Sequence, residues 1–228
     1  MTKTQFRRMQ ERLSDPLLTA LTIILAAILF VVGPLQAAGL VAAHNFGLAF
    51  GLVMVVAVFI VSGSGFAVAL ILTAIGLIGA ATVLRLRHPS QLDIYLDASG
   101  WLITAVTLCV VVARAVFASG RISYHRVIGA ILLYLNAGVI FVALYAFVAV
   151  SVPNAFTGIG TLHDDLTVAA NLIYFSFTTL TTVGYGDIAP VHPFARGLSN
   201  IEAIIGQLYP ATLLARLVTL EIENRRSR

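Results

Sequence analysis

Charged residues are scarce in this sequence: Asp, Glu, Lys and Arg make up 11% of its 228 residues, against 59% hydrophobic residues. A soluble domain carries roughly 25% charged residues, so the chain has too little polar surface to cover a water-facing globule. No charged residue occurs in the 69 positions between Asp15 and Arg85, or in the 37 between Arg126 and Asp164. Each bilayer crossing takes about 20 apolar residues, and the sequence therefore predicts a multi-pass membrane protein.

Other absences restrict the possible types of membrane protein further. The single cysteine, Cys109, excludes an internal disulfide. Repeated ten-residue segments of alternating polarity, typical of a membrane β-barrel, are missing. We find no nucleophile–base arrangement and no phosphate-binding glycine loop, so we expect neither an enzyme nor a cofactor. The net charge of +4 comes mostly from the two ends and from residues 121–126. This placement indicates membrane orientation and not nucleic-acid binding.

The predicted fold class is an all-α membrane protein with six transmembrane helices. A bilayer offers the backbone no hydrogen-bond partners, so the uncharged runs should be helical. The predicted spans are 17–35, 41–61, 66–84, 101–119, 127–152 and 198–222, with a polar loop at 85–100. An even number of crossings leaves both termini on one side. The basic residues place the tails 1–16 and 223–228, and the linker 120–126, in the cytoplasm.

The segment between the fifth and sixth spans has a different character. A helix too short to span, 166–178, is followed by Thr181-Thr182-Val183-Gly184-Tyr185-Gly186-Asp187, which is neither a good helix nor a good strand. Non-helical backbone at membrane depth is tolerated only where it is buried in protein or lines a water-filled path. Gly184 and Gly186 can adopt backbone angles that are closed to other residues.

Residues 174–190, YFSFTTLTTVGYGDIAP, resemble the pore region of potassium channels, particularly the bacterial family with two helices flanking a pore loop. The resemblance extends over 127–222 and implies that this region is a pore domain. It implies a re-entrant pore helix, 166–178, and a selectivity filter, 181–186, between helices 5 and 6. It also implies a multi-pass protein of the bacterial inner membrane, preceded here by a four-helix region, 17–119.

The resemblance assigns roles to individual residues. Dehydrated K⁺ would bind the backbone oxygens of the filter, contributed by Thr182, Val183, Gly184 and Tyr185, with Gly186 completing the ion-binding segment. Expected supports of the filter are Thr181, Asp187, Thr178 and Glu202. One strand cannot surround an ion, so the site must lie on a symmetry axis, and the family expectation is a homotetramer.

The last predicted helix carries further candidates. Gly206 matches the position of the family's hinge glycine, and Pro210 has no N–H to bond the Gly206 carbonyl. The pair predicts either a gating hinge or a static kink. At helical spacing one face is shared by four residues that we expect to line the inner pore: Gln207, Ala211, Leu214 and Val218. Glu202 falls about 140° from Gln207. It should lie behind the filter with Thr178 or Asn171 as its partner, or else near the outer surface.

Six helices with a pore between the last two is also the layout of voltage-gated channels. Such a sensor needs Arg or Lys at every third position of the fourth helix, whereas this one has Arg114 alone, followed by Arg121. We therefore expect weak voltage dependence or none. Arg85, Arg87, Asp93 and Asp97 should form exposed ion pairs. His163-Asp164-Asp165 near the outer mouth either concentrates cations electrostatically or binds a divalent cation.

These observations favour a potassium-selective channel subunit that conducts K⁺ passively, without a cofactor, through a homotetrameric pore in the lipid bilayer. One alternative is a voltage-gated potassium channel with a degenerate sensor. Another is a potassium transporter subunit, although such proteins carry several non-identical pore loops and this chain has one. A third is a membrane enzyme or receptor in which the loop is structural.

Overall fold

A computed structural model describes residues 16–40, 64–88, 90–117, 124–160 and 165–226, the last range with side chains from 167 to 216. Several predictions fall outside these residues. They are the second span, 41–61, the N-terminal tail, most of the linker 120–126, the last two residues of the C-terminal tail, and the side chains of His163-Asp164-Asp165 and Val218.

The described residues form six helices and two very short strands. The helices are α1 (Pro16–Ala37), α2 (Gly65–Arg87), α3 (Gln91–Val116), α4 (Tyr124–Ser151), α5 (Asp165–Leu180) and α6 (Pro193–Arg226). Residues Ile28–Val32 of α1 have π-helical hydrogen bonding. The strands β1 (Phe156–Thr157) and β2 (Ala189–Pro190) pair antiparallel. This pairing fastens the segment before α5 to the segment that follows the Gly-rich stretch.

Four of the described helices are long and apolar enough to cross a membrane: α1, α2, α3 and α4. They correspond to the first, third, fourth and fifth predicted spans. α6 has 34 residues, or about 51 Å of helix at 1.5 Å per residue. It is long enough to cross a hydrocarbon core of about 30 Å, but it is less apolar than the other four. It begins at Pro193, five residues before the predicted start.

The polar stretch 85–100 is mostly helical, and its prediction as a loop was wrong. α3 begins at Gln91 and not at Trp101 because Ser90 and Asp93 form a capping box at its N-terminus. The Ser90 backbone N–H donates to Asp93 Oδ1 at 2.7 Å, which satisfies a backbone donor at the start of the helix. The helices α2 and α3 therefore cover most of the predicted loop.

The expectation of exposed ion pairs in this region is also wrong for one residue. Asp93 is buried, and its Oδ2 lies 3.1 Å from Arg85 Nε at the end of α2. Asp97 is half-buried and lies 3.9 Å from Arg85 Nη2. The polar residues that suggested a loop thus join two consecutive helices.

The packing of the helices positions α5. α3 packs between α2 and α4, and α4 contacts both α5 and α6. Buried Asn136 of α4 donates to the Ala105 carbonyl of α3 at 2.7 Å. The end of α1 reaches α5, where the rings of Phe30 and Phe177 meet edge to face with centroids 5.0 Å apart. α5 is therefore held by three neighbours and ends at a fixed place.

Candidate functional site

α5 is a short helix that ends inside the helical assembly. Its 16 residues measure about 24 Å, less than the roughly 30 Å of a hydrocarbon core. It continues to Leu180, two residues beyond the predicted end at 178. The Thr181 backbone N–H still donates to the Phe177 carbonyl at 3.0 Å, and the Thr181 hydroxyl donates to the same oxygen at 2.6 Å. The stretch Thr181–Asp187 follows without regular structure.

The N–H groups of this stretch turn back toward α5. Thr182 N–H donates to the Thr179 carbonyl at 2.9 Å. Val183 and Gly184 both donate to the Thr178 carbonyl, at 2.9 and 3.1 Å. The last carbonyls of a helix have no partner within the helix itself. The beginning of the Gly-rich stretch supplies those partners. The N–H groups of Thr182, Val183 and Gly184 are therefore all bonded to the end of α5.

The carbonyl groups of the same stretch are left without such partners. Within the described part of the chain, no carbonyl of residues 181–186 accepts a hydrogen bond. Thr182, Gly184 and Gly186 have φ of +60°, +55° and +83°, whereas Val183 and Tyr185 between them have negative φ. When φ alternates in sign from one residue to the next, successive peptide groups can turn the same way, so that their carbonyls point to one side.

Glycine at 184 and 186 is explained by backbone conformation and not by crowding. A Cβ atom at either position would meet nothing within 4 Å in the single chain. Left-handed φ costs a non-glycine residue roughly 1–2 kcal/mol. Thr182 adopts this conformation without being glycine, and sequence reasoning had not anticipated it.

Two large side chains of this stretch are mostly exposed in the single chain. Val183 and Tyr185 are 53% and 72% exposed. The Tyr185 ring is stacked on Tyr174 of α5, with centroids 6.2 Å apart and planes 2° from parallel. The Tyr174 hydroxyl donates to Asp187 Oδ1 at 3.1 Å. Tyr174 therefore braces both Tyr185 and Asp187, a role that sequence reasoning missed.

Glu202 lies behind the stretch, fully buried, but with partners other than those expected. Its Oε1 lies 2.5 Å from the Ser176 hydroxyl of α5, and its Oε2 lies 2.5 Å from the Tyr145 hydroxyl of α4. The two predicted partners bond elsewhere: Asn171 donates to the Ile159 carbonyl, and Thr178 donates to the Phe175 carbonyl. A partner on α4 could not be foreseen, because the contact joins residues 57 positions apart.

Gly206 lies where α6 passes the end of α5. A Cβ atom at this position would be 1.8 Å from the Leu180 carbonyl oxygen, so a close approach of two backbones requires glycine. The Tyr134 hydroxyl of α4 donates to the same oxygen at 3.1 Å. Pro210 lies inside α6, which continues to Arg226. The structure thus gives glycine at 206 a packing role that the hinge hypothesis had not considered.

The predicted pore-lining face of α6 is exposed in the single chain where its side chains are described. Gln207, Ala211 and Leu214 are all exposed, while Glu202 is buried on the other side of the helix. The guanidinium carbon of Arg216 lies 4.7 Å from the centre of the Phe117 ring. Among the described residues no group of His, Cys, Asp and Glu side chains could hold a metal ion.

Comparison with known proteins gives a match that covers this part of the chain. Residues 129–222 match the model of a family described as "Ion channel". The match supports an ion channel, and a channel rather than an enzyme. It starts within α4 and includes α5, the Gly-rich stretch and most of α6. Together with the apolar helices it indicates a multi-pass membrane protein.

A second comparison finds similarity to one curated protein. The chain is 36% identical over 55 residues to Protein LctB of Bacillus caldotenax, which is 24% of this chain and 40% of that protein. The chain therefore spans less than half the length of this relative. No solved structure matches the chain.

Proposed function

We propose that this protein is the subunit of a homotetrameric potassium-selective channel in a bacterial inner membrane. Thr181–Gly186 forms its selectivity filter, and K⁺ binds the carbonyl oxygens of Thr182, Val183, Gly184 and Tyr185. The observation that carries the proposal is the division of the backbone in this stretch. Its first N–H groups are bonded to the end of α5, while its carbonyl oxygens have no protein partner in the described chain.

Unpartnered carbonyl oxygens suit a dehydrated cation. Residues 181–186 are exposed in the single chain. In a closed tetramer their carbonyls would be shielded from bulk water, where a carbonyl without a hydrogen bond costs free energy, and K⁺ that has lost its water needs oxygens in return. Alternate left-handed residues allow consecutive carbonyls to face one side. The C-terminal end of α5, where the helix dipole is negative, lies next to these oxygens. Both features favour a cation at this place.

Four copies of the chain complete the site. One strand offers oxygens from one side of an ion only, so a closed ring requires rotational symmetry. The apolar side chain of Val183 and the ring of Tyr185 are exposed in the single chain, as expected of residues that pack on a neighbouring subunit. Gln207 and Leu214 on the exposed face of α6 would then line the inner pore. α6 and the segment 41–61 would supply the two crossings beyond the four apolar helices, and both termini would lie in the cytoplasm.

Flux through liposomes tests this proposal. Purified protein is reconstituted in potassium-loaded vesicles, and K⁺ efflux is compared with Na⁺ efflux. We expect K⁺ to exceed Na⁺ in the wild type and the preference to disappear in Gly184→Ala, because the left-handed residue would be strained. Gly197→Ala is the matched control, since Gly197 lies in α6 with nothing within 4 Å of an added Cβ.

Two outcomes would contradict the proposal. Equal K⁺ and Na⁺ efflux from wild-type vesicles would remove the selectivity. Wild-type behaviour of Gly184→Ala, alongside a functional Gly197→Ala, would show that the selective site lies elsewhere in the chain.

A further inference from the structure

We propose that Glu202 is held as a neutral carboxylic acid that links α4, α5 and α6, and that it acts as a positioning residue for the end of α5 and the filter. The inference starts from burial. The side chains of Glu202, Tyr145 and Ser176 are all fully buried, and Glu202 has no ion pair within the described residues. A carboxylate buried without a cation is very costly, whereas a neutral acid can be stabilised by hydrogen bonds alone.

The number of available hydrogens leads to the same conclusion. The Ser176 hydroxyl lies 3.0 Å from the Gly138 carbonyl oxygen and 2.5 Å from Glu202 Oε1. A hydroxyl carries one hydrogen, and a carbonyl carries none. Each contact has a hydrogen of its own only if the Ser176 hydrogen goes to Gly138 and the carboxyl group donates to Ser176.

The other carboxyl oxygen fits this assignment. Tyr145 donates its one hydrogen to Glu202 Oε2 at 2.5 Å. The Ser199 hydroxyl, which is 3.3 Å from the Tyr145 oxygen, uses its own hydrogen on the Ala195 carbonyl at 2.9 Å. A neutral Glu202 therefore satisfies every contact of 3.0 Å or less in this group. An ionised Glu202 would leave one of the two Ser176 contacts, to the Gly138 oxygen or to Oε1, without a hydrogen of its own.

Among the residues that the structure describes, the groups that face Glu202 include no cation that would stabilise its ionised form. α4 contributes Tyr145 and, at longer range, Tyr134. α5 contributes Ser176, and the preceding turn of α6 contributes Ser199. The consequence for the filter is mechanical. Ser176 lies one turn before the end of α5, whose carbonyls hold the filter N–H groups, so the acid fixes the helix on which the filter rests.

Infrared spectroscopy of the reconstituted protein tests the protonation state directly. We expect the carbonyl stretch of a protonated carboxylic acid at neutral pH in the wild type and its loss in Glu202→Gln. Ser199→Ala is the control, because it leaves both contacts of the Glu202 carboxyl group in place, and it should keep the band. A wild-type spectrum at neutral pH that lacks the Glu202 acid band, with a carboxylate band in its place, would overturn the proposal.

Ion flux tests the positioning role, and this arm alone rests on the proposed channel function. The amide of Glu202→Gln can accept from Tyr145 and donate to Ser176, as the neutral acid does, so K⁺ over Na⁺ selectivity should stay at the wild-type level. Glu202→Ala leaves two buried hydroxyls without this partner, and selectivity should fall about tenfold or more. If the amide variant lost selectivity as the alanine variant does, the neutral-acid role would be wrong. If the wild type were unselective, the infrared result would still decide the protonation state.

Discussion

Glycines in and beside the proposed filter occupy their positions for different physical reasons. Gly184 and Gly186 have left-handed φ and open space around the missing Cβ, whereas Gly206 faces the Leu180 backbone at a distance that excludes any side chain. The glycine-rich motif was enough to predict that Gly184 and Gly186 adopt backbone angles closed to other residues. The close approach at Gly206 depends on how α6 passes α5, and hydrophobic patterning does not contain that information. The partners of Glu202 were missed for the same reason, since Ser176 and Tyr145 are distant in sequence.

Gly206→Ala should destabilise the protein. The added Cβ would overlap the Leu180 carbonyl, and a backbone group cannot rotate away as a side chain can. We expect a loss on the order of 1–3 kcal/mol in the free energy of unfolding, measured by chemical denaturation in detergent micelles. Gly197→Ala, on the same helix in open space, should be neutral or stabilising by up to about 1 kcal/mol. Equal stability of Gly206→Ala and the wild type would leave the hinge hypothesis as the reason for glycine at 206.

At the scale of elements, long uncharged runs predicted the four apolar helices that the structure describes. Polar residues at the helix ends were misleading. Arg85 and Asp93 suggested a loop because charges are costly in a membrane. Their ion pair and the capping box on Ser90 instead allow α3 to begin ten residues earlier than predicted. A short helix followed by an irregular segment could be predicted at α5, because the apolar run there is too short to span a membrane and is followed by a glycine-containing segment.

The two acidic residues at the start of α3 should differ in their effect on stability. Asp93 has a side-chain exposure of 3% and caps the helix, while Asp97 has 32%. Asp93→Ala should cost about 1–2 kcal/mol in the free energy of unfolding, because a cap and a buried contact are both lost. Asp97→Ala should cost less than about 1 kcal/mol, as expected of a partly exposed pair. Denaturant titration of the two variants checks this, and a larger loss for Asp97→Ala would contradict the assignment.

At the scale of the whole molecule, the distribution of charge restricts what can open the channel. The charged residues described in the four apolar helices lie close to the helix ends: Arg85 and Arg87 at the end of α2, Asp93 and Asp97 in the first two turns of α3, Arg114 in its last turn, and Arg126 in the first turn of α4. One elementary charge gains about 2.3 kcal/mol in 100 mV only if it crosses the whole field. A residue at the end of a helix crosses little of it.

The conductance of the reconstituted channel should therefore depend weakly on voltage. Steady-state currents in symmetric KCl between about −100 and +100 mV should change smoothly, and Arg114→Gln should leave the curve unchanged. A steep activation curve that Arg114→Gln flattens would show that α3 acts as a voltage sensor and would favour the alternative of a voltage-gated channel.

The central claim is that the carbonyl oxygens of Thr182–Tyr185 select K⁺, and the reversal potential of single channels tests it most directly. Protein in a planar bilayer is bathed in KCl on one side and an equal concentration of NaCl on the other. The current should reverse at a voltage displaced from zero by about 59 mV for each tenfold preference for K⁺, and Gly184→Ala should move it toward zero. A wild-type current that reverses at zero would contradict the account.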